Sequence, residues 1–232
     1  MIRRIGNDVN RTVTLVAGAF LTEGYVDGVG AAARLSYPMG MAWLDATHIV
    51  IADSGNMAIR VLDVTTRAVT TLAVTHWGDE ADGPASSATF YYPTAVAVAP
   101  DGRVFFLARS PGKVKVIGTD AARTITTLVG GGLGFSDGSG SSARMQPQMG
   151  LLWCSGALIV ADSANQRLRR VVPGASASST SVWTWAGDGR MGSDDGAASV
   201  ASFEVPLGLW AGKDGTVYVV DGGPGALRAV RP

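Results

Sequence analysis

The chain has 232 residues, enough to bury a full core within a single all-β domain. Val and Ala dominate its 47% hydrophobic share, 31 Gly interrupt it, and only 16% of residues are charged, which is the profile of many short strands joined by tight turns. Lys plus Arg equals Asp plus Glu at 19 each, so no long-range field draws in phosphate backbones or anionic membranes, and nucleic-acid binding starts out disfavoured.

From the N-terminus, Arg3 and Arg4 have no hydrophobic stretch behind them, and no apolar run approaches a membrane span. A cytoplasmic chain and an excised ectodomain both remain open. Residues 11–17 read as a strand around Val13-Thr14-Leu15. Asp27-Gly28 follows, then Ala33-Arg34-Leu35, then Pro38 and a run at Met41-Ala42-Trp43. A second run ends at Asp53, a third begins near Ile59-Arg60, and a fourth carries Thr71-Leu72.

This series repeats. The Asp-Gly pairs at Asp27, Asp82, Asp137 and Asp195 lie 55, 55 and 58 residues apart, and the prolines Pro38, Pro93, Pro147 and Pro206 lie 55, 54 and 59 apart. Second runs recur to Arg109, Asp162 and Asp221; third runs recur at Val114-Lys115, Leu168-Arg169 and Leu227-Arg228; fourth runs recur at Thr127-Leu128 and Thr184-Trp185. A unit of four short antiparallel strands that cannot bury both faces alone is a propeller blade. The phase predicts one domain over 1–232, with units near 19–73, 74–129, 130–187 and 188–232 plus 11–17. In that scheme the N-terminal strand closes the last blade and leaves no open edge.

The stretch Val13 to Gly18, Asp27-Gly28, Ala33-Arg34-Leu35, Pro38, Ile51-Ala52-Asp53-Ser54-Gly55-Asn56 and Ile59-Arg60 resembles the NHL repeat, as does Ile159 to Arg169. Copy four matches in part and copy two loosely. The resemblance implies a β-propeller of four NHL-like blades, standing alone or forming part of a larger ring, since the best-known propellers of this family have more copies.

Asp53 and Arg60, Asp162 and Arg169, and Asp221 and Arg228 share a spacing of seven, as expected of an Asp that accepts turn amides and holds an Arg fork across a hairpin. Blade two carries Arg109 and Lys115 at these places, and its Arg103, Arg109, Lys113 and Lys115 have no acid partner nearby in sequence. The Asp of each Asp-Gly pair is placed to cap a short helix; a calcium-binding ring of the four is the alternative.

Catalytic inventory is thin. His48 and His76 are the only histidines, Glu23, Glu80 and Glu204 the only glutamates, and the single Cys154 reads as a core hydrophobe. No catalytic residue, metal site or cofactor is implied. The loop His76-Trp77-Gly78-Asp79-Glu80, with Tyr25, Phe135 and Met191 in other inter-blade loops, reads instead as a recognition surface. The expectation is a non-catalytic scaffold that binds a protein partner through inter-blade loops. A metal-dependent propeller lyase or hydrolase is the alternative, an RNA-binding module a third reading, and homo-oligomerisation stays open.

Overall fold

Alternating β-branched residues and turn glycines fold here as antiparallel meanders, each strand returning beside the one before it. The computed structural model describes residues 1–75, 78–109, 112–146 and 149–231. It opens with a hairpin of β1 (Ile2–Ile5) and β2 (Val13–Ala17). Blade one contains a two-residue β3 (Gly28–Val29), then β4 (Pro38–Trp43), β5 (His48–Asp53), β6 (Ala58–Asp63) and β7 (Ala68–Val74), in sheet order β3-β7-β6-β5-β4.

Blade two holds β8 (Pro93–Val98), β9 (Val104–Ala108), β10 (Lys113–Ile117) and β11 (Ile125–Val129). Blade three holds β12 (Gly138–Ser139), β13 (Leu151–Cys154), β14 (Ala157–Asp162), β15 (Arg167–Val172) and β16 (Ser181–Ala186). Blade four has three strands among the described residues, β17 (Pro206–Ala211), β18 (Val217–Asp221) and β19 (Ala226–Val230). No described helix is long and apolar enough to cross a membrane.

The core lies between blades rather than within them. Val50, Ala52 and Ile59 of blade one pack with Phe90, Phe106 and Ile117 of blade two. Phe105 and Leu107 meet Leu158 and Val160 of blade three, and Ile159 and Leu168 meet Phe203 and Val219 of blade four. At the N-terminal end, Ile2, Val16 and Ala17 cover Leu35, Ile51 and Leu62 of blade one. Blades two and three are therefore covered on both faces, which is why β14 is apolar nearly throughout and wholly buried, whereas β17 and β19 of blade four alternate with exposed residues.

The expected closure is corrected. β2 pairs with β1, and blade four has no fourth strand on β19 among the described residues. The reason lies in β1, a four-residue strand whose central Arg3 and Arg4 give no apolar strand signal. Ile2 faces Ala17 and Arg3 faces Leu15 with a bulge between, the same register as Ile59–Ala73 and Arg60–Thr71, and as Leu168–Ala186 and Arg169–Thr184. Residues 5–18 also repeat the pattern of residues 117–130, with Asp8 and Asp120 capping equivalent turns through Thr12 and Thr124. The N-terminal hairpin is thus the third and fourth strands of a further repeat, closed by a short loop at little entropic cost. In this register Leu15, not Thr14, occupies the place of Thr71, so the apparent Thr-Leu match was one residue out of phase.

Candidate functional site

Blades one to three are each pinned by one fully buried cation, and blade four carries a partly buried one, Arg228. The turn after β5 is a single 3-10 turn, Ser54–Asn56, closed by Met57 at φ 49°, and blade three repeats it with Gln166 at φ 51°. This geometry aims Asn56 at Asp53 Oδ2 (2.7 Å) and at the Gly24 carbonyl (2.7 Å), while Ser36 N donates to Asp53 Oδ1 (2.8 Å). Arg60, fully buried, donates Nη1 to Asp53 Oδ2 (2.8 Å) and Nη2 to Asp27 Oδ1 (2.6 Å). Arg169 does the same with Asp162 (2.9 Å) and Asp137 (2.6 Å). Burial pushes the Asp53 and Asp162 carboxyls above the ordinary value, against the pull of these hydrogen bonds. In blade four Arg228 bonds Asp195 at 2.5 Å and stands 3.6 Å from Asp221, whose carboxylate accepts from Glu204 N and Val205 N.

The Asp of the Asp-Gly pair does not cap a helix. Asp27 Oδ2 accepts from Thr71 N (3.1 Å) and Oδ1 from Thr71 Oγ1 (2.9 Å), and the 3-10 turn that follows has no side-chain cap. Asp82 holds Thr127 in the same way, and Thr184 reaches Asp137. These carboxylates tie the third strand to the fourth within their own blades, so they do not converge as a ring.

Blade two is not short of acids, as its sequence suggested. Lys115 Nζ lies 2.8 Å from Asp82, 3.4 Å from Glu80 and 2.7 Å from Thr127 Oγ1; Lys113 pairs with Glu80 at 2.8 Å and Arg103 with Asp101 at 2.8 Å. Glu80 is only 10% exposed, so it belongs to this centre rather than to a recognition surface. It stands two residues before Asp82, as Tyr25 and Phe135 stand before Asp27 and Asp137. Those rings lie over the guanidinium groups of Arg60 (5.0 Å) and Arg169 (4.9 Å). Where the cation is a lysine, a carboxylate replaces the ring.

The other candidates distribute as follows. Tyr25 and Phe135 are half-exposed, and Phe135 also lies 3.9 Å from the Arg167 guanidinium, which donates to the Asp188 carbonyl of the next inter-blade loop. Met191 and Asp79 are exposed. His76 and Trp77 lie outside the described residues, as does Pro147. His48 sits at the other end of β5, 2.9 Å from Asp45. Among the described residues no three His, Cys, Asp or Glu side chains converge in a metal-holding group.

Two residues escaped the sequence reading. Tyr37 and Tyr92 open the innermost strands of blades one and two at equivalent positions, 69% and 48% exposed. Both sit in the left-handed region at φ 45° and 44°, which a bulky residue before proline rarely adopts. The repeated Tyr-Pro dipeptide was the available signal. An apolar cavity of about 530 Å³ also separates β1 and β2 from blade one, with Met41 and Trp43 on its wall. Its walls are β1 and β2 on one hand and Met41, Trp43, Ile49 and Leu62 of blade one on the other.

NHL repeat-containing protein 2 of Bos taurus is 36% identical over 87 residues, and its Homo sapiens counterpart 37% over 89. Each match covers 37% of this chain and 12% of the relative. The chain is a β-propeller that, over about a third of its length, is similar to NHL-repeat proteins. No family model matches it. Protein SUPPRESSOR OF QUENCHING 1 of Arabidopsis thaliana is 37% identical over 79 residues, 34% of this chain and 8% of that protein. Among solved structures, an auxiliary nutrient binding protein from Bacteroides ovatus superposes with a TM-score of 0.66 at 16% identity, over 86% of this propeller and 49% of that chain. A second from Bacteroides thetaiotaomicron gives 0.62 at 17%, over 83% and 47%. This propeller thus spans about half of those solved chains and a small part of the curated relatives.

Proposed function

We propose that the propeller is a non-catalytic scaffold that recognises a protein partner through the loops at the strand ends carrying Tyr37 and Tyr92. One observation carries this reading: two exposed tyrosines, at equivalent positions of blades one and two, are held in a left-handed backbone conformation that costs energy. Tyr25 and Phe135 extend the same end outward, since Asn56 and Asn165 tie their loops to the turns after β5 and β14. Aromatic anchors of this kind carry much of the energy of protein interfaces. Balanced charge suits a protein partner better than RNA. The neighbours named as nutrient binding proteins agree with a binding use of the fold.

Tyr37→Gly and Tyr92→Gly remove the rings and relieve the backbone. A photo-crosslinker at 37 or 92 is expected to trap a partner in native cells that one at Thr65, in the turn at the other end of blade one, does not. The glycine variants should keep the thermal midpoint and lose the partner at least tenfold. Equal trapping at both ends would overturn the reading. Stoichiometric zinc or iron in the purified protein would overturn its non-catalytic part.

A further inference from the structure

Beyond the surface that Tyr37 and Tyr92 mark, we propose that the tips of the inter-blade loops insert into a lipid surface without net charge. In a meander of antiparallel blades, the inter-blade loops and the second-to-third-strand turns share one end of the propeller, and the remaining turns share the other. The two ends expose different chemistry. Phe20 (71% exposed) and Leu21 (87%) follow β2, Leu133 (51%) follows β11 and Met191 (69%) follows β16, each within five residues of the strand's last residue. Blades two and three are covered on both faces, so the exposure of Leu133 and Met191 belongs to the loops themselves. At the opposite end, the turns of the four blades expose no large apolar side chain among the described residues. Aspartates cap them instead, Asp45 at Thr47, Asp63 at Thr66, Asp120 at Thr124 and Asp214 at Thr216. Val9, in the turn of the N-terminal hairpin, is the exception.

The exposure at Leu21 is built into the backbone. Ala19 pairs with Thr22, so Phe20 and Leu21 form the two-residue corner of a tight turn, and Thr22 Oγ1 donates to the Phe20 carbonyl (3.2 Å). Leu21 stands there at φ 54°, a left-handed place that Gly or Asn fills at lower cost. A branched apolar side chain at such a corner has nothing of its own fold to bury it. Only what the loop meets can do so.

The form of the tips points to lipid. A protein partner receives apolar anchors in packed pockets with a polar rim, so tips on three separate loops would need three matched pockets. These tips occupy equivalent places in their loops and so stand at one level. A bilayer interface takes such a set to a depth of about 5–10 Å and rewards each by its own apolar area. The charges at this end select the lipid. Arg190 pairs with Asp188 (2.6 Å), while Asp27, Asp82 and Asp137 are held by Arg60, Lys115 and Arg169. Exposed Asp79 and Asp194 balance exposed Arg109 and Arg144, so no net field favours an anionic membrane over a zwitterionic one.

The test uses the full chain and vesicles of phosphatidylcholine alone. Saturable flotation with the vesicles is expected, equal at about 0.1 M and about 1 M salt, because screening has no net attraction to remove. Amide exchange should slow over 18–24, 131–135 and 188–192, and not over 64–67. Leu21→Ser or Met191→Ser, at exposed sites outside the core, should weaken binding at least tenfold, since each removes one inserted apolar side chain. Val9→Ser, at the opposite end, should change nothing. Tyr37→Gly should also leave vesicle binding unchanged, which separates this inference from the partner surface. Absence of flotation at millimolar lipid would overturn the proposal, as would binding that vanishes in high salt or that loses nothing with Leu21→Ser. Tips protected by a captured protein and not by vesicles would overturn it too, and would assign them to the partner surface.

Discussion

Blade two and its neighbours reach one electrostatic solution with different residues. In blades one and three, an arginine spans an Asp from the second strand and an Asp from the inter-blade loop, with an aromatic ring over its plane. In blade two, a lysine meets Glu80 and Asp82, both from the loop, while Arg109 occupies the second-strand place at the surface. Each centre keeps one fully buried cation against two carboxylates, and blade two adds Lys113 on Glu80. Arginine, a planar fork, can bridge two separated acids and stack on a ring; lysine, a compact charge on a flexible stem, draws its acids to one side and has no plane to stack. A repeat can therefore exchange its chemistry provided the partners change together.

The sharpest way to break the comparison is to remove the second-strand residue from each kind of blade. Asp162→Ala leaves a fully buried Arg169 with half its compensation and should cost about 3–5 kcal/mol in denaturant unfolding. Arg109→Ala, at the same place in blade two, is a surface change and should stay within about 0.5 kcal/mol. An effect between these two is expected from Glu80→Gln. It leaves Lys115 with Asp82 and should cost about 1–3 kcal/mol, because the largely buried side chain loses its charge-assisted contacts.

The smallest separation is by pH. Burial pushes the Asp82 carboxyl up, but hydrogen bonds from Lys115 and Thr127 outweigh it and hold the group below its ordinary 3.8. Its contribution is thus present above pH 3.8 and is lost as pH falls through the lower folded value. Asp53 and Asp162 are raised, so the folded state takes their protons more readily than the unfolded chain does, and acid favours folding at these two groups. Below pH 4, amide exchange should therefore rise in β10 and β11 before β6, β7, β15 and β16. The reverse order would remove the distinction.

The period, the blade count from Pro38 to Pro206 and the spacing of Asp53 with Arg60 were legible because they are local and recur. The strand phase at the N-terminus was not. Strand patterns alternate with period two, so Thr14-Leu15 imitates Thr71-Leu72 while facing the other way, and only pairing with Arg3 fixes the register. Nor could spacing reveal that Glu80 serves Lys113 and Lys115, more than thirty residues on, since that contact exists only once the loop folds along the blade. Tyr37 and Tyr92 were visible as letters but not as conformations.

Where the innermost strands meet, the chain has dispensed with side chains. A methyl group on Gly40 would stand 2.8 Å from the Ala95 Cα and 2.9 Å from the Thr94 carbonyl oxygen, and one on Gly150 would collide with the Leu207 carbonyl. Sheets that nearly touch at the hub while large side chains hold them apart farther out diverge by a wide angle. Wide angles fill a circle with few blades. The curvature of this arc, and hence the size of any ring built on it, is thus written in the smallest residues at its centre.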